Sequence, residues 1–458
     1  MIEESSFRDP DGFVFTHNNK LFRAVTPDYK ENYDHFINSG LYDILIKEGY
    51  LIAHKEVDSQ DLPVKGMYKI LEPEMVNFIS YPYEWAFSQL KDAALLTIDI
   101  QKTALEFGMS LKDASAFNIQ FYKGRPIFLD TLSFEIYTED QPWYAYKQFC
   151  QHFLAPLALM GYKDVRLNGL LRNYIDGIPL DLVYKLLPKK TWLKVGIMLH
   201  IHLHALTQKK YDSNKIRVSE LKRKFSKTSF FRLLISLRET IEHINWEPKG
   251  TEWGDYYEPG VHNSRYSEHK KELVSHFISL AKPETLWDLG SNTGIYSRIA
   301  ADNNISVIAF DIDPVCVENS YRQVKEKKEQ NILPVLLDLT NPSPSLGWAN
   351  QERKSFSGRA PVDLIMGLAL IHHLAISNNL PFIKIAYYFS ELSDWLIIEF
   401  VPKEDDKVQI MLKNRKDIFP NYSIYEFERA FVKYYSIEQK QPFENSKRTL
   451  FLMKKRYE

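Results

Sequence analysis

Residues 286–294 read Leu-Trp-Asp-Leu-Gly-Ser-Asn-Thr-Gly, and Asp311 follows seventeen residues later. An apolar run ends in a carboxylate and a glycine turn. A helical stretch comes next, and a second apolar run ends in another carboxylate. That order leaves few folds open: it builds the mouth of a doubly wound α/β sheet, where nucleotide-like ligands bind. A dinucleotide fingerprint starting at Gly290 needs glycines at 290, 292 and 295. The chain has Gly290, Asn292 and Ile295 there, with an acid at 288 and its second glycine at 294. The acid would repel a pyrophosphate and attract an ammonium. The pattern therefore favours the zwitterionic methionine end of S-adenosylmethionine over a dinucleotide.

The rest of the C-terminal half alternates in the same way. Short apolar runs at 285–289, 305–310, 333–337, 362–366 and 395–400 read as parallel strands buried on both faces. Asp313-Pro314 caps a helix over 315–328. Ser423 and Glu426 form a capping box that opens another helix, and 434–439 and 449–453 are late strands. The expected assembly is an α/β, seven-stranded, Rossmann-like sheet ending in an antiparallel pair. Ahead of it, Leu273, Phe277 and Leu280 lie on one face of a helix over 268–280 that packs on the sheet.

Residues 251–458 resemble class I S-adenosylmethionine-dependent methyltransferases. The resemblance rests on Asp288 to Gly294, on Asp311 within Phe310-Asp-Ile-Asp-Pro314, on Asp338, and on Leu368-Ala-Leu-Ile-His-His-Leu374. It implies S-adenosylmethionine as cofactor, with Asp288 facing its ammonium and Asp338 taking its adenine amino group. Gly290 and Gly294 let the backbone approach the ligand closely. Asn292 stands where many members carry glycine, and asparagine tolerates left-handed backbone angles. The two oxygens of Asp311 match a vicinal ribose diol. Each acid also has a plainer reading: turn cap for Asp288, helix cap for Asp313, strand-end turn for Asp338. Methyl transfer needs in-line geometry and, for a hydroxyl or amide acceptor, a base. His372 and His373, just past the fourth strand, are the candidate bases, or they cap and pack locally. Glu399 is a further candidate, or a buried structural acid.

The N-terminal half reads as a separate α+β domain. With 458 residues the chain divides into 1–206, a helical connector over 207–250, and 251–458. Leu111 to Asp130 holds Asp113, Asn118 five residues on, a hairpin turn at Lys123-Gly124, and Asp130. That spacing looks like the catalytic and metal-binding loops of protein-kinase-like and aminoglycoside-phosphotransferase-like folds. The resemblance implies that Asp113 orients an acceptor hydroxyl, while Asn118 and Asp130 hold magnesium on ATP. Leu111 stands where the usual histidine would be, Asp130-Thr-Leu where Asp-Phe-Gly would be, and no GxGxxG loop is present. The plain alternative is a structural hairpin with turn-forming Asp and Asn. His200, His202 and His204 share a helix, with His200 and His204 on one face, but no Glu follows the first His in metalloprotease fashion, and no metal cluster is read from the sequence.

Taken whole, the chain is similar to bacterial methyltransferases related to host-specific nodulation proteins. Residues 7–12, 113–118, 149–156 and 251–253 carry that likeness. It implies a small-molecule acceptor of saccharide or glycan-precursor type, bound or presented by the N-terminal domain. The alternatives are a bifunctional enzyme with ATP-dependent phosphoryl or nucleotidyl transfer, and a non-catalytic pseudokinase-type platform. The net charge of −1 gives no footprint for nucleic acid. The basic run from Lys215 to Lys227 reads as a solvated face. Two cysteines, Cys150 and Cys316, argue against a disulfide framework and for a reducing, cytoplasmic setting. No apolar run is long enough to span a membrane. The sequence leaves the oligomeric state open.

Overall fold

Strands β9 (Thr285–Leu289), β10 (Ser306–Asp311), β11 (Ile332–Leu336), β12 (Val362–Gly367), β13 (Ser393–Phe400), β14 (Tyr435–Pro442) and β15 (Thr449–Lys455) form one sheet. Their order is β11-β10-β9-β12-β13-β15-β14. The first five run parallel, and β15 lies antiparallel between β13 and β14. Strand order reverses at β9, which has β10 on one side and β12 on the other. A crevice forms at the carboxyl ends of strands at such a switch point. The computed structural model describes residues 2–58, 62–207, 225–250, 264–413, 417–444 and 446–457. Most of the basic run (residues 215–224) and Thr251-Glu-Trp253 lie outside them.

The described chain divides into two units, 1–247 with 346–353, and 248–345 with 354–458. In the second unit, strand ends differ from the sequence expectation by only a few residues. Asp313 caps the helix Pro314–Lys327 by accepting from the Val315 N–H at 2.8 Å. Ser423 accepts from the Glu426 N–H at 3.3 Å, which is the forward half of the expected capping box.

The helix Ser264–Ala281 corrects one expectation. Its buried positions are Lys270, Val274, Phe277 and Ile278, whereas Leu280 is 42% exposed. The inward face is turned from the one expected because Lys270 is drawn inward by a buried acid described below. An apolar pattern alone does not register that pull.

In the first unit, β1 (Gly12–His17), β2 (Lys20–Val25), β3 (His54–Val57) and β4 (Lys69–Pro73) make an antiparallel sheet of order β1-β2-β4-β3. Two small ladders follow: β5 (Met109–Leu111) with β8 (Phe134–Ile136), and β6 (Ile119–Tyr122) with β7 (Arg125–Phe128). The β6–β7 turn is Lys123-Gly124, with φ of 49° and 76°, as a tight two-residue hairpin requires. The helix Phe87–Glu106 is the unit's central rod, and the helix Lys227–His243 packs along it. Lys91 closes the end of the second helix by donating to the carbonyls of Glu242 (2.9 Å) and Ile244 (2.8 Å). Cys150 and Cys316 are both buried free thiols, one in each unit.

Candidate functional site

The motif turn is held from beneath by one carbonyl. The N–H groups of Gly290 and Ser291 both donate to the Phe310 oxygen, each at 2.9 Å. Gly290, Asn292 and Gly294 take φ of 78°, 52° and 79°, the left-handed region open to glycine and asparagine. A Cβ added at Gly290 would meet only the Leu370 side chain, at 3.4 Å. Arg298 braces the turn. It donates to the Thr293 carbonyl at 2.6 Å and is locked by Glu329 through bonds of 2.8 and 2.9 Å.

Two acids end adjacent strands at this turn. Asp288 is 2% exposed and accepts one bond, from the Ser297 hydroxyl at 2.6 Å. Asp311 is 8% exposed and accepts from the N–H of Asn292 (2.7 Å) and of Asp313 (2.9 Å). Burial pushes Asp288 up to about 7, with the Asp311 charge adding to the rise and Lys270 opposing it. Burial likewise pushes Asp311 up to about 6. These carboxylates lack enough cationic partners of their own. Asp338, two residues beyond β11, is half-buried and accepts from the Thr340 N–H (2.9 Å) and hydroxyl (2.7 Å), forming a local turn.

A pocket opens beside Asp288 and Gly290, with Leu368 and Ala369 on one wall and Lys270 and Arg448 on another. Behind it lies Glu399, fully buried. One of its oxygens accepts from Lys270 Nζ (2.6 Å) and the Ala369 N–H (3.0 Å). The other accepts from Tyr266 (3.1 Å) and Arg448 (3.1 Å). Arg448 also makes a bidentate pair with Asp405, at 2.7 and 3.1 Å. Burial opposes ionisation of Glu399, but the cations of Lys270 and Arg448 outweigh it and hold the group at about 2. The sequence supplied Glu399 alone; its partners Tyr266, Lys270 and Arg448 were missed.

His372 and His373 follow β12, with ring centroids 4.2 Å apart. His372 is 3% exposed, and its Nδ1 makes no hydrogen bond. Burial, then the neighbouring His373 and Arg448, push it well below the usual imidazole value. Burial lowers His373 as well. Both rings are neutral at pH 7.

In the first unit, Asp113, Asn118 and Asp130 do come together. Asp113 feels the Asp130 charge and bonds Asn118, and Asn118 donates to Ser133 Oγ at 3.2 Å. Ser133 in turn donates to Asp130. Arg23 on β2 pairs with Asp130 at 2.7 Å and with Asp9 at 2.9 Å. Lys112 pairs with Asp11. One oxygen of Asp113 accepts from the Ser115 N–H (2.9 Å) and from Gln148 (2.8 Å). Among the described residues no group of three or more His, Cys, Asp or Glu is arranged to hold a metal ion. The donor set does not fit magnesium: Arg23 and Ser133 engage both oxygens of Asp130, and an arginine stands beside it. His200 and His202 are buried and hydrogen-bonded to Tyr146, Ser236 and Thr191, which makes them core histidines.

Comparison with known proteins places the whole chain. It is 34% identical over 453 residues to the nodulation protein NoeA of Rhizobium meliloti (strain 1021), covering 97% of this chain and 94% of that protein. The chain belongs to the NoeA family. No family model matches it. Among solved structures it is similar to magnesium protoporphyrin IX methyltransferase (ChlM) from Synechocystis PCC 6803 with bound SAH. That match is 15% identical, covers 44% of this chain and 93% of that one, and has a TM-score of 0.32. It is also similar to the bifunctional kinase-methyltransferase WbdD, at 14% identity over 42% of this chain and 39% of that one, with a TM-score of 0.28.

Proposed function

We propose that the chain is an S-adenosylmethionine-dependent methyltransferase whose chemistry lies in the C-terminal unit. The observation that carries this reading is the pair Asp288 and Asp311. Two carboxylates are buried at the ends of adjacent parallel strands, beside a glycine turn, with proton affinities raised by that burial. A ligand with an ammonium at one end and a vicinal diol further along supplies what both acids lack.

S-adenosylmethionine, when bound, supplies an electrophilic methyl group on a sulfonium. Asp288 would receive the ammonium, Asp311 the ribose hydroxyls, and the bare backbone at Gly290 lets the ligand lie close. Asp338 keeps lone pairs free for the adenine amino group beyond its local turn. Of the two histidines we assign the base role to His372. Its surroundings include the charges of Lys270, Arg448 and Glu399, and its buried Nδ1 has no partner. Glu399 is a positioning residue: with both oxygens already accepting from Tyr266, Lys270, Ala369 and Arg448, it holds the two cations in place and has no free lone pair directed at an acceptor. The acceptor class, a saccharide or glycan precursor, rests on the sequence likeness to nodulation-protein-related methyltransferases.

For the N-terminal unit we propose a binding role without phosphoryl transfer. The Arg23–Asp130 ion pair favours it, because a guanidinium already neutralises the acid that a metal would need.

Isothermal calorimetry with S-adenosylhomocysteine tests the main reading. We expect binding to the wild-type chain and its loss in Asp311→Ala. Absence of wild-type binding would sink the assignment.

A further inference from the structure

Between Leu182 and Thr207 the chain contains no Asp or Glu, yet it carries Lys185, Lys189, Lys190 and Lys194. This segment forms the short helix Lys189–Leu193 and then a helical run from Val195 to Thr207, π-helical over Met198–Leu203. Its polarity is inverted. His200 is 4% exposed and His202 1%, whereas Leu193 is 86%, Val195 67%, Leu199 43%, Leu203 40% and Leu206 39% exposed. Val195, Leu199, Leu203 and Leu206 recur at the spacing of one helical face.

The orientation is locked. His200 bonds Tyr146 at 2.8 Å and Ser236 at 3.0 Å, and His202 bonds Thr191 at 2.9 Å. Gly196 presses on the helix Lys227–His243 so closely that an added Cβ would stand 1.9 Å from Thr240 Oγ1. The leucines therefore cannot turn inward. Scattered exposed aliphatics are ordinary, but an aligned row held outward while two imidazoles are buried behind it reverses the usual preference. Trp192, stacked on His202 at 4.6 Å, stands at the edge of the row, 37% exposed. Beside it Lys189, Lys190 and Lys194 are exposed, with no ion pair to any described residue.

We propose that this face docks the protein on the surface of an anionic lipid bilayer. The aliphatic row would sit at the boundary of headgroups and acyl chains, Trp192 at headgroup level, and the lysines against acidic headgroups. Charge selects the occupant. A second copy pairing through this same segment would offer its lysines no acid, because 182–207 contains none, whereas an anionic bilayer complements both the apolar row and its cationic edge. No helix among the described residues is long and apolar enough to cross a membrane, so the attachment is peripheral.

Co-sedimentation of the full chain with phosphatidylcholine vesicles, and with vesicles containing about 30% phosphatidylglycerol, tests this. At about 0.1 M salt, partitioning should be at least about tenfold stronger on the anionic vesicles and should weaken as salt is added. Leu193→Glu with Leu199→Glu should lower it at least about tenfold. Lys189→Glu, Lys190→Glu and Lys194→Glu together should abolish the preference for anionic lipid. Both variants should keep wild-type circular dichroism. The proposal falls if the wild-type chain ignores both vesicles, or if the variants bind as well as wild type. It also falls if light scattering shows that the leucine substitutions dissolve a dimer while leaving vesicle binding unchanged.

Discussion

At the scale of single residues, the site is defined by acids whose proton affinity is wrong for their surroundings until a cation arrives. Asp288 stands at about 7 and Asp311 at about 6, both through burial. An ammonium ligand binds the ionised pair, so binding must release protons wherever those groups are still protonated. Affinity for S-adenosylhomocysteine is therefore expected to rise by about one to two orders of magnitude from pH 5.5 to 7.5 and to level off above about pH 8. Calorimetry in buffers of different ionisation heat should detect the released proton; a pH-independent affinity would refute the pairing. The sign for folding runs the other way. Because both folded-state values lie above the usual 3.8, the ligand-free protein holds their stabilising contribution fully below about pH 4. It loses that contribution as pH rises through 6 to 7. The histidines give a second residue-level expectation. His372→Gln should lower kcat on the order of a hundredfold or more while leaving S-adenosylhomocysteine binding unchanged, and His373→Gln should not. If His373→Gln instead causes the larger loss of kcat, the base assignment moves to that ring.

At the scale of elements, the question is what ties the helix Ser264–Ala281, β13 and β15 together under the pocket. Glu399 on β13 meets Lys270, 129 residues before it, and Arg448, 49 residues after it. Removing the acid alone would leave buried Lys270 without its ion-pair partner and take from Arg448 one of its two acids, Asp405 remaining, a loss on the order of 3–5 kcal/mol. Chemical denaturation of Glu399→Leu should register that loss, and Lys270→Met in the same chain should restore part of it. Strictly additive losses in the double variant would mean that the pair is not coupled. This network also marks where sequence reading stops. The turn from Asp288 to Gly294 and the cap at Asp313 were legible because their partners lie within a few residues or on the next strand. An acid in an apolar strand announces that a cation must exist, but chain separation hides which one. The same blindness misplaced the inward face of the helix Ser264–Ala281, where a buried lysine, rather than Leu273 and Leu280, decides the rotation.

At the scale of the whole molecule, a seven-stranded doubly wound sheet is joined to a second unit that brings together three residues of a phosphotransferase-type spacing and pairs one of them, Asp130, with an arginine. The spacing of Asp113, Asn118 and Asp130 was visible in the sequence. The counter-cation Arg23 was not, because it comes from β2, far upstream. A magnesium-nucleotide site needs acids with oxygens free for the metal. Asp130, the acid that the spacing assigns to the metal, gives one oxygen to Arg23 and the other to Ser133. Magnesium would have to displace a guanidinium already paired at 2.7 Å within a cluster that also contains Asp9. Calorimetric titration with ATP and magnesium should consequently give no heat beyond dilution in the wild-type chain, with S-adenosylhomocysteine binding in the same preparation as the control for folding. Saturable, magnesium-dependent ATP binding that Asp130→Asn removes would reverse this conclusion. It would mean that Arg23 swings aside on ligand entry and that the N-terminal unit performs chemistry of its own.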